Sequence, residues 1–349
     1  MVSLSNAAPF VAMVAVECLD VGLATLGKAA MSHGLSHFIF VFYSNALASL
    51  VLIPCSFIFH RRDLPPLNFS LVFRFFLLGL IGIAMMQNFV FTGVDYSSPT
   101  LGSAMANLVP ACTFFIAVVF RLERFDIKSS SSQAKLIGTL VSISGALTVT
   151  LYEGPPIYDP SHHLPHHHHP KSGFLTQNWV LGGLFFGAAD LSISIWNNLQ
   201  AATVKRYPAE LTIVAFSCLF GSLQCAIICL FRERSSSAWK IRPDVELIAI
   251  LYSAVFGTMF TLGIETWCMR KKGPVFVASF KPLGIAIAAF MSAAFLGDTL
   301  HLGSVVGAVV IVIGFYGVIW GQAKEKHGKD CISYDTPLLH ENSATEYSA

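Results

Sequence analysis

The chain is poor in charge. Asp, Glu, Lys and Arg make up 12% of its 349 residues, about half the roughly 25% of a typical soluble domain. So little charge cannot cover a water-facing surface, which excludes a soluble globular protein. Neither sign dominates. The net charge is +2, and Lys and Arg stand at the ends of apolar stretches instead of along one stripe, so no nucleic-acid partner is implied. Paired-cysteine motifs are lacking too. No CxxC zinc or redox pair occurs, and seven of the eight cysteines (Cys18, Cys55, Cys112, Cys218, Cys225, Cys229 and Cys268) lie inside apolar runs, where they read as small buried hydrophobes. HExxH, GxSxG and P-loop patterns are missing, and Leu296-Gly-Asp298 is only a fragment of an intramembrane aspartyl-protease motif at a helix end. The expectation is therefore no enzyme, no cofactor and no metal. A charged leader region with a cleavage site is also lacking, so the first apolar segment is read as a retained helix.

Apolar sequence is what the chain has in quantity: 54% of it is hydrophobic and its mean hydropathy is +0.64. The stretches 29–59, 75–94, 99–120, 211–231 and 302–323 carry no Asp, Glu, Lys or Arg at all. A membrane span needs about 20 mostly apolar residues, whereas a soluble amphipathic helix shows polar positions every turn. Ten membrane helices are predicted, at about 8–31, 35–59, 71–94, 99–120, 134–152, 177–200, 209–231, 245–269, 275–296 and 302–320. A β-barrel would show short alternating segments instead. Residues 153–176 form a loop rich in Pro and His (His162, His163, His166 to His169), and 321–349 read as a polar, disordered tail. The loop is taken as a low-complexity linker, with zinc binding or pH sensing as the alternative. In the tail, Asp335-Thr-Pro-Leu-Leu339 is a weak dileucine-like sorting signal. Asn68-Phe-Ser70 fits a glycosylation pattern on what reads as the cytoplasmic side.

Orientation follows from Lys and Arg in the short loops. The side of the N-terminus receives Arg61, Arg62, Arg121, Arg124, Lys128, Lys135, Lys205, Arg206, Arg270, Lys271, Lys272, Lys324, Lys326 and Lys329, fourteen in all. The other side receives Lys171, Arg232, Arg234, Lys240 and Arg242, five in all. Both termini are expected in the cytoplasm, in the plasma membrane by default and the vacuolar membrane as the alternative.

The chain repeats itself. A shift of 173 residues lays His37–Leu50 over Glu210–Leu223 and Glu17 over Asp190. With small gaps, Pro110 pairs with Pro282, Phe120-Arg-Leu-Glu123 with Phe295-Leu-Gly-Asp298, and Gly138 and Gly145 with Gly307 and Gly314. Each unit, 8–152 and 177–320, holds five helices. An odd number sends the second unit in from the opposite side, so the fold expected is an all-α integral membrane protein of two inverted five-helix repeats, as in many secondary transporters.

Particular residues carry a family likeness. They are Lys28-Ala-Ala30, Gly34 and Tyr43, then Gln87-Asn88 and Asn107-Leu-Val-Pro110. The longest run is Trp267-Cys-Met-Arg-Lys-Lys-Gly-Pro-Val-Phe-Val-Ala-Ser-Phe-Lys-Pro-Leu283, and Leu302-Gly-Ser304, Gly314-Phe-Tyr316 and Trp320-Gly321 close the set. Over residues 10–325 the chain resembles the plant nodulin-like, walls-are-thin-related transporters of the drug/metabolite transporter superfamily, the group that also holds the "usually multiple acids move in and out" proteins. Ser44 stands where that family usually carries Arg. The resemblance implies bidirectional transport of amino acids, with auxin or another small metabolite as cargo in some members.

The residues that could carry such chemistry are polar groups within the apolar helices, where a charge costs about 3 kcal/mol or more. Glu17 and Asp190 could hold a substrate ammonium or a coupling proton, or only pair with a lysine. Asp20 shares a helix face with Glu17. Lys281, beside the helix-breaking Pro282, could hold a substrate carboxylate or sit at the interface. Gln87, Asn88, Asn107, Asn197, Asn198 and Gln200 offer amides to either end of a zwitterion, or join helices. Lys28 is a gate candidate, Pro110 and Pro282 are hinges, and Glu123 and Asp298 are latches or loop caps. Glu265 and Trp267 end the eighth helix, Trp267 at the interface. The function expected is a secondary transporter or facilitator of small organic solutes, amino acids first, working by alternating access in the bilayer. Auxin or nucleoside carriage on the same fold is the alternative, and a non-transporting receptor the remote one.

Overall fold

A computed structural model describes residues 4–59, 68–97, 99–122, 129–152, 155–158, 179–233, 239–241, 243–291 and 300–334. The chain is helical nearly throughout. In order, α1 is Leu4–Ser32, α2 is His37–Phe59, and α3 runs as Phe69–Leu78, a π-helical stretch Gly79–Met85, and Met86–Tyr96. Helix α4 comes in two pieces, Pro99–Ala106 and Val109–Val119, and α5 is Ser130–Leu151. The second half repeats the plan: α6 is Trp179–Arg206, α7 is Glu210–Arg232, and α8 runs as Val245–Tyr252, a π-helical stretch Ser253–Phe260, and Thr261–Lys272. Helix α9 is broken into Pro274–Ala278 and Lys281–Met291, and α10 is Leu302–Tyr334. Two strand fragments, β1 (Pro156–Tyr158) and β2 (Leu300–His301), pair antiparallel beside the start of α10.

Nine helical stretches among the described residues are long and apolar enough to cross a membrane, and the two pieces of α4 supply the tenth crossing. The surface is apolar, and polar side chains are drawn into the interior among the apolar core. Leu50, Ile58, Phe115, Leu184, Phe231 and Ile313 stand exposed, while Glu17, Asn45, Asn107, Asp190, Asn197, Asn198, Gln200 and Glu265 are buried. Only lipid accepts such an outside.

The helices meet in a mirrored pattern. Helix α1 lies against α8 and α9, and α6 lies against α3 and α4. Helices α2 and α7 form one pair across the halves, α5 and α10 another. This is what a two-fold relating inverted halves produces. The irregularities repeat as well. The 173-residue shift lays one π-helical stretch on the other to within two residues, and such stretches re-aim the side chains that follow them. Both breaks fall just before a proline. Pro110 and Pro282 lack an N–H, so the carbonyls of Ala106 and Ala278 lose their helical donor. An aromatic set fixes the second break: Phe280 is fully buried, with ring centroids 5.1 Å from Phe276 and 4.5 Å from Phe315, and Phe10 of α1 closes on Phe276 at 5.0 Å.

The structure departs from expectation at the C-terminus. Residues 321–349 read as a disordered tail, yet α10 continues to Tyr334. Gln322-Ala-Lys-Glu-Lys326 are strong helix formers, and an apolar helix already nucleated extends through them at little cost. The His-rich loop, Glu123, Asp298 and the dileucine-like segment lie outside the described residues.

Candidate functional site

The charged centre is built where α1, α8 and α9 meet. Lys281 is the first residue of the second piece of α9. An ammonium at a helix N-terminus opposes the helix dipole, so something must offset it. Three carboxylates do: Lys281 Nζ lies 3.1 Å from Asp20 Oδ2, 3.3 Å from Glu17 Oε1 and 3.5 Å from Glu265 Oε1. Glu17 and Asp20 reach the lysine together because three residues separate them on α1. Glu265 arrives from α8, one turn beyond Thr261, whose Oγ1 donates to Asp20 Oδ1 at 3.4 Å. Tyr252, at the other edge of the π-helical stretch, donates to the Leu19 carbonyl at 3.3 Å.

One cation thus faces three anions. The four are not equally enclosed. Glu17 and Glu265 are buried, while the side chains of Lys281 and Asp20 keep 29% and 30% of their surface. The site therefore has an open, polar edge at Lys281 and Asp20 and a closed floor at the two glutamates. Gly284 makes room for that floor. A Cβ there would overlap Glu17 Oε2 and stand 3.2 Å from its carboxyl carbon. Gly284→Ala is expected to push the Glu17 carboxylate off Lys281 and lower solute flux about fivefold, the worth of one hydrogen bond of about 1 kcal/mol. Flux per unit of folded protein in vesicles is the check.

The mirror position is different. Asp190 of α6 is buried at 8% exposure, and its Oδ2 has no hydrogen-bond partner among the described residues. Around it, Ser194 Oγ donates to the Val109 carbonyl at 3.4 Å, and Asn198 Nδ2 donates to the Thr113 carbonyl at 3.2 Å and the Ser194 carbonyl at 2.9 Å. These groups tie α6 to the second piece of α4. The residue that the repeat places opposite Lys281 is Val109, which carries no charge.

The remaining expected residues distribute as follows. Asn107 is fully buried at the break in α4, and Pro110 and Pro282 are the second residues of the second pieces of α4 and α9. Asn88 is spent locally: its Nδ2 donates to the Ala84 carbonyl inside the π-helical stretch. Gln87 is half-buried beside it and Asn197 is buried on α6. Gln200 joins α6 to α8 by donating to Thr266 Oγ1, which is helix-joining glue. Lys28 lies in the last turns of α1; its side chain is outside the described residues. Lys271 covers the Trp267 ring at 4.3 Å, as suits an interfacial Trp. Ser44 is buried on α2, its hydroxyl without a hydrogen-bond partner among the described residues.

Glu265 is the member of the charged centre that its place in the sequence concealed. It reads as a helix-end residue when α8 is ended near 269, but α8 runs to Lys272, which carries Glu265 inward. No local pattern links it to a lysine in the next helix.

Comparison with known proteins completes the description. The EamA-like transporter family matches residues 9–151 and again 180–320. A WAT1-related protein of Arabidopsis thaliana is 46% identical over 95% of this chain and 91% of its own length. A second from the same plant is 47% identical, covering 91% of this chain and 86% of the relative. Protein WALLS ARE THIN 1 of Arabidopsis thaliana is 35% identical over 90% of this chain and 83% of its own length. A solved protein crystal structure superimposes with a TM-score of 0.66 at 13% identity, covering 89% of this chain and 97% of the other, a likeness of fold. With the mirrored five-helix halves, their paired broken helices and this match, the chain belongs to the EamA-like transporter family, among the plant WAT1-related members of the drug/metabolite transporters.

Proposed function

We propose that the protein carries amino acids by alternating access and that the centre formed by Glu17, Asp20, Glu265 and Lys281 holds both ends of the zwitterion. The observation that carries the reading is the pairing of one ammonium with three carboxylates at 3.1 to 3.5 Å, open along the Lys281–Asp20 edge. A cargo ammonium can take the place of Lys281 on Glu17 or Glu265. The displaced Lys281 then meets the cargo carboxylate, helped by the positive end of the dipole of Lys281–Met291. With the site empty, the Lys281 ammonium is held by the carboxylates. With it loaded, each charged end of the cargo meets a group of opposite sign. Neither state leaves an ammonium unpaired, which favours sealing in both closed forms of a carrier.

The broken helices α4 and α9 supply the moving walls, since a half-helix hinged at a proline can swing while its other half stays packed. The excess of Lys and Arg on the side of the termini supports cytoplasmic termini, and the plasma membrane is the working location. The test is uptake and efflux of a labelled amino-acid mixture by the purified protein in proteoliposomes. Saturable flux of several amino acids, inhibited by unlabelled amino acids, is expected. A protein that is folded and inserted yet moves no amino acid, while moving an organic anion such as auxin or a nucleoside, would overturn the reading.

A further inference from the structure

The two halves are alike in backbone and unlike in charge. On the α1 side the buried acid has an ammonium. On the α6 side Asp190 has none among the described residues. We infer that Asp190 is a proton-binding site, separate from the cargo site, whose loading decides which face of the carrier is sealed. This rests on the reading of the protein as a carrier but not on the identity of its cargo.

The surroundings of Asp190 argue for it. Among the described residues no charged side chain lies close enough to act on it. From the second piece of α4 the titratable neighbour is Cys112, whose thiol feels the Asp190 charge. From α3, Tyr96 stacks on Phe185 at 5.8 Å near the start of α6, with Asp95, whose side chain is not described, beside it. Arg74 lies by Arg206 at the far end of α6. From α8, Glu265 and the cations after it approach α6 around Gln200, which bonds Thr266, ten residues from Asp190 or about 15 Å along the axis. The first pieces of α4 and α9, Pro99–Ala106 and Pro274–Ala278, carry no titratable side chain.

An isolated carboxylate is costly in such a place, and taking up a proton removes that cost. No group of three His, Cys, Asp or Glu that could hold a metal ion occurs among the described residues, and the Ser194 and Asn198 side chains turn their donors to carbonyls, not to Asp190. The wall beside Asp190 is apolar. Ala111, Cys112, Phe115, Ile116 and Leu191 line a lipid-side hollow of about 270 Å³, which offers a carboxylate no hydration. Charged, Asp190 therefore needs water and favours the conformation in which α4 and α6 part. Protonated, it tolerates closure of α4 on α6. A proton taken from one side and released on the other would bias the cycle, as any ligand does that prefers one of two states.

The test uses the full-length protein in proteoliposomes, wild type against Asp190→Asn and Asp190→Glu. The reading is the ratio of labelled amino-acid uptake with an imposed proton gradient to uptake without one. The wild-type ratio is expected well above one. It should fall to one in Asp190→Asn, which mimics the protonated form in size and neutrality, and recover in Asp190→Glu. A ratio in Asp190→Asn as high as in the wild type would overturn the inference, as would accumulation driven by sodium with no proton gradient. Infrared difference spectra of the reconstituted protein between acid and alkaline pH decide the matter even if no amino acid is carried. The carbonyl band of a protonated carboxylic acid should be present in the wild type and lost in Asp190→Asn. A wild-type flux of zero would sink the amino-acid reading alone, and an unchanged band in Asp190→Asn would sink the proton site alone.

Discussion

Lys281→Ala is expected to reverse the preference of the carrier between amino acids and their decarboxylated amines. Two effects act in opposite directions. The variant loses the ammonium that meets the cargo carboxylate, and a hydrogen bond to a charged group is worth about 1.5–3 kcal/mol. At about 1.4 kcal/mol per factor of ten, amino-acid flux should fall at least about tenfold. The three carboxylates are left without their cation, so a cargo ammonium meets less competition and stronger attraction. Amine flux should hold or rise. Lys281→Arg keeps the charge and should keep the preference for carboxylate-bearing cargo, although the planar guanidinium does not reproduce a point ammonium among three acids. The measurement is the ratio of amino-acid to amine uptake for each variant, normalised to folded protein in the vesicle. Because removing one partner of a buried ion pair also destabilises, thermal unfolding of each variant is needed for that normalisation. Equal losses for amino acids and amines would mean that Lys281 holds the fold and not the cargo.

The two halves of this site were unequally legible in the sequence. Charge-free runs of a span's length set the helices, and the internal repeat brought out Glu17 with Asp190 at a shift of 173 residues and, with a small gap, Pro110 with Pro282 as matched pairs. Those signals survive because membrane helices tolerate a buried acid or an internal proline only for a reason, so each stands out against an apolar background. The long-range pairing left no such trace. Lys281 is separated from Asp20 by 261 residues, and nothing in its own helix marks it as the partner of Glu17 and Asp20 over an interface position. Glu265 was hidden by a difference of three residues in the end of α8. The π-helical stretches in α3 and α8 were invisible, since an extra residue in a turn does not disturb a run that is apolar on every side. Asn88 and Gln200 read equally as cargo ligands or as helix glue, and their amide N–H groups donate to the Ala84 carbonyl and to Thr266 of the neighbouring helix. An amide in an apolar helix announces that it has a partner but not which one.

The largest expected loss of stability lies outside the charged centre, where α5 crosses α10. The helices touch backbone to backbone there, and four glycines matched by the repeat make it possible. A Cβ at Gly138 would stand 2.6 Å from the Gly314 carbonyl oxygen and 2.7 Å from Val318 N, and one at Gly314 would meet the Gly138 carbonyl oxygen at 2.6 Å. One turn or two further along, a Cβ at Gly145 would lie 2.7 Å from Ile311 N, and one at Gly307 would lie 2.6 Å from the Gly145 carbonyl oxygen. These obstacles are main chain and cannot rotate away. Ser142 Oγ adds a hydrogen bond across the seam, to the Ile311 carbonyl at 3.3 Å. Close approach of small residues is what holds helices together where lipid offers no hydrophobic drive between them. Gly138→Val or Gly314→Val must therefore part α5 from α10 along the whole seam. The expected cost is at the upper end of the 1–3 kcal/mol typical of overpacking, read as a marked fall in the unfolding temperature in detergent and in the amount of inserted protein. Gly183→Ala and Gly263→Ala, where a new Cβ meets nothing within 4 Å, should leave both readings unchanged. The α5–α10 pair joins the two repeats directly, so a parted seam is also expected to lower flux for every cargo alike, in contrast to the cargo-dependent effect at Lys281. A Gly314→Val protein as stable as the wild type would mean that this crossing does not depend on close backbone contact.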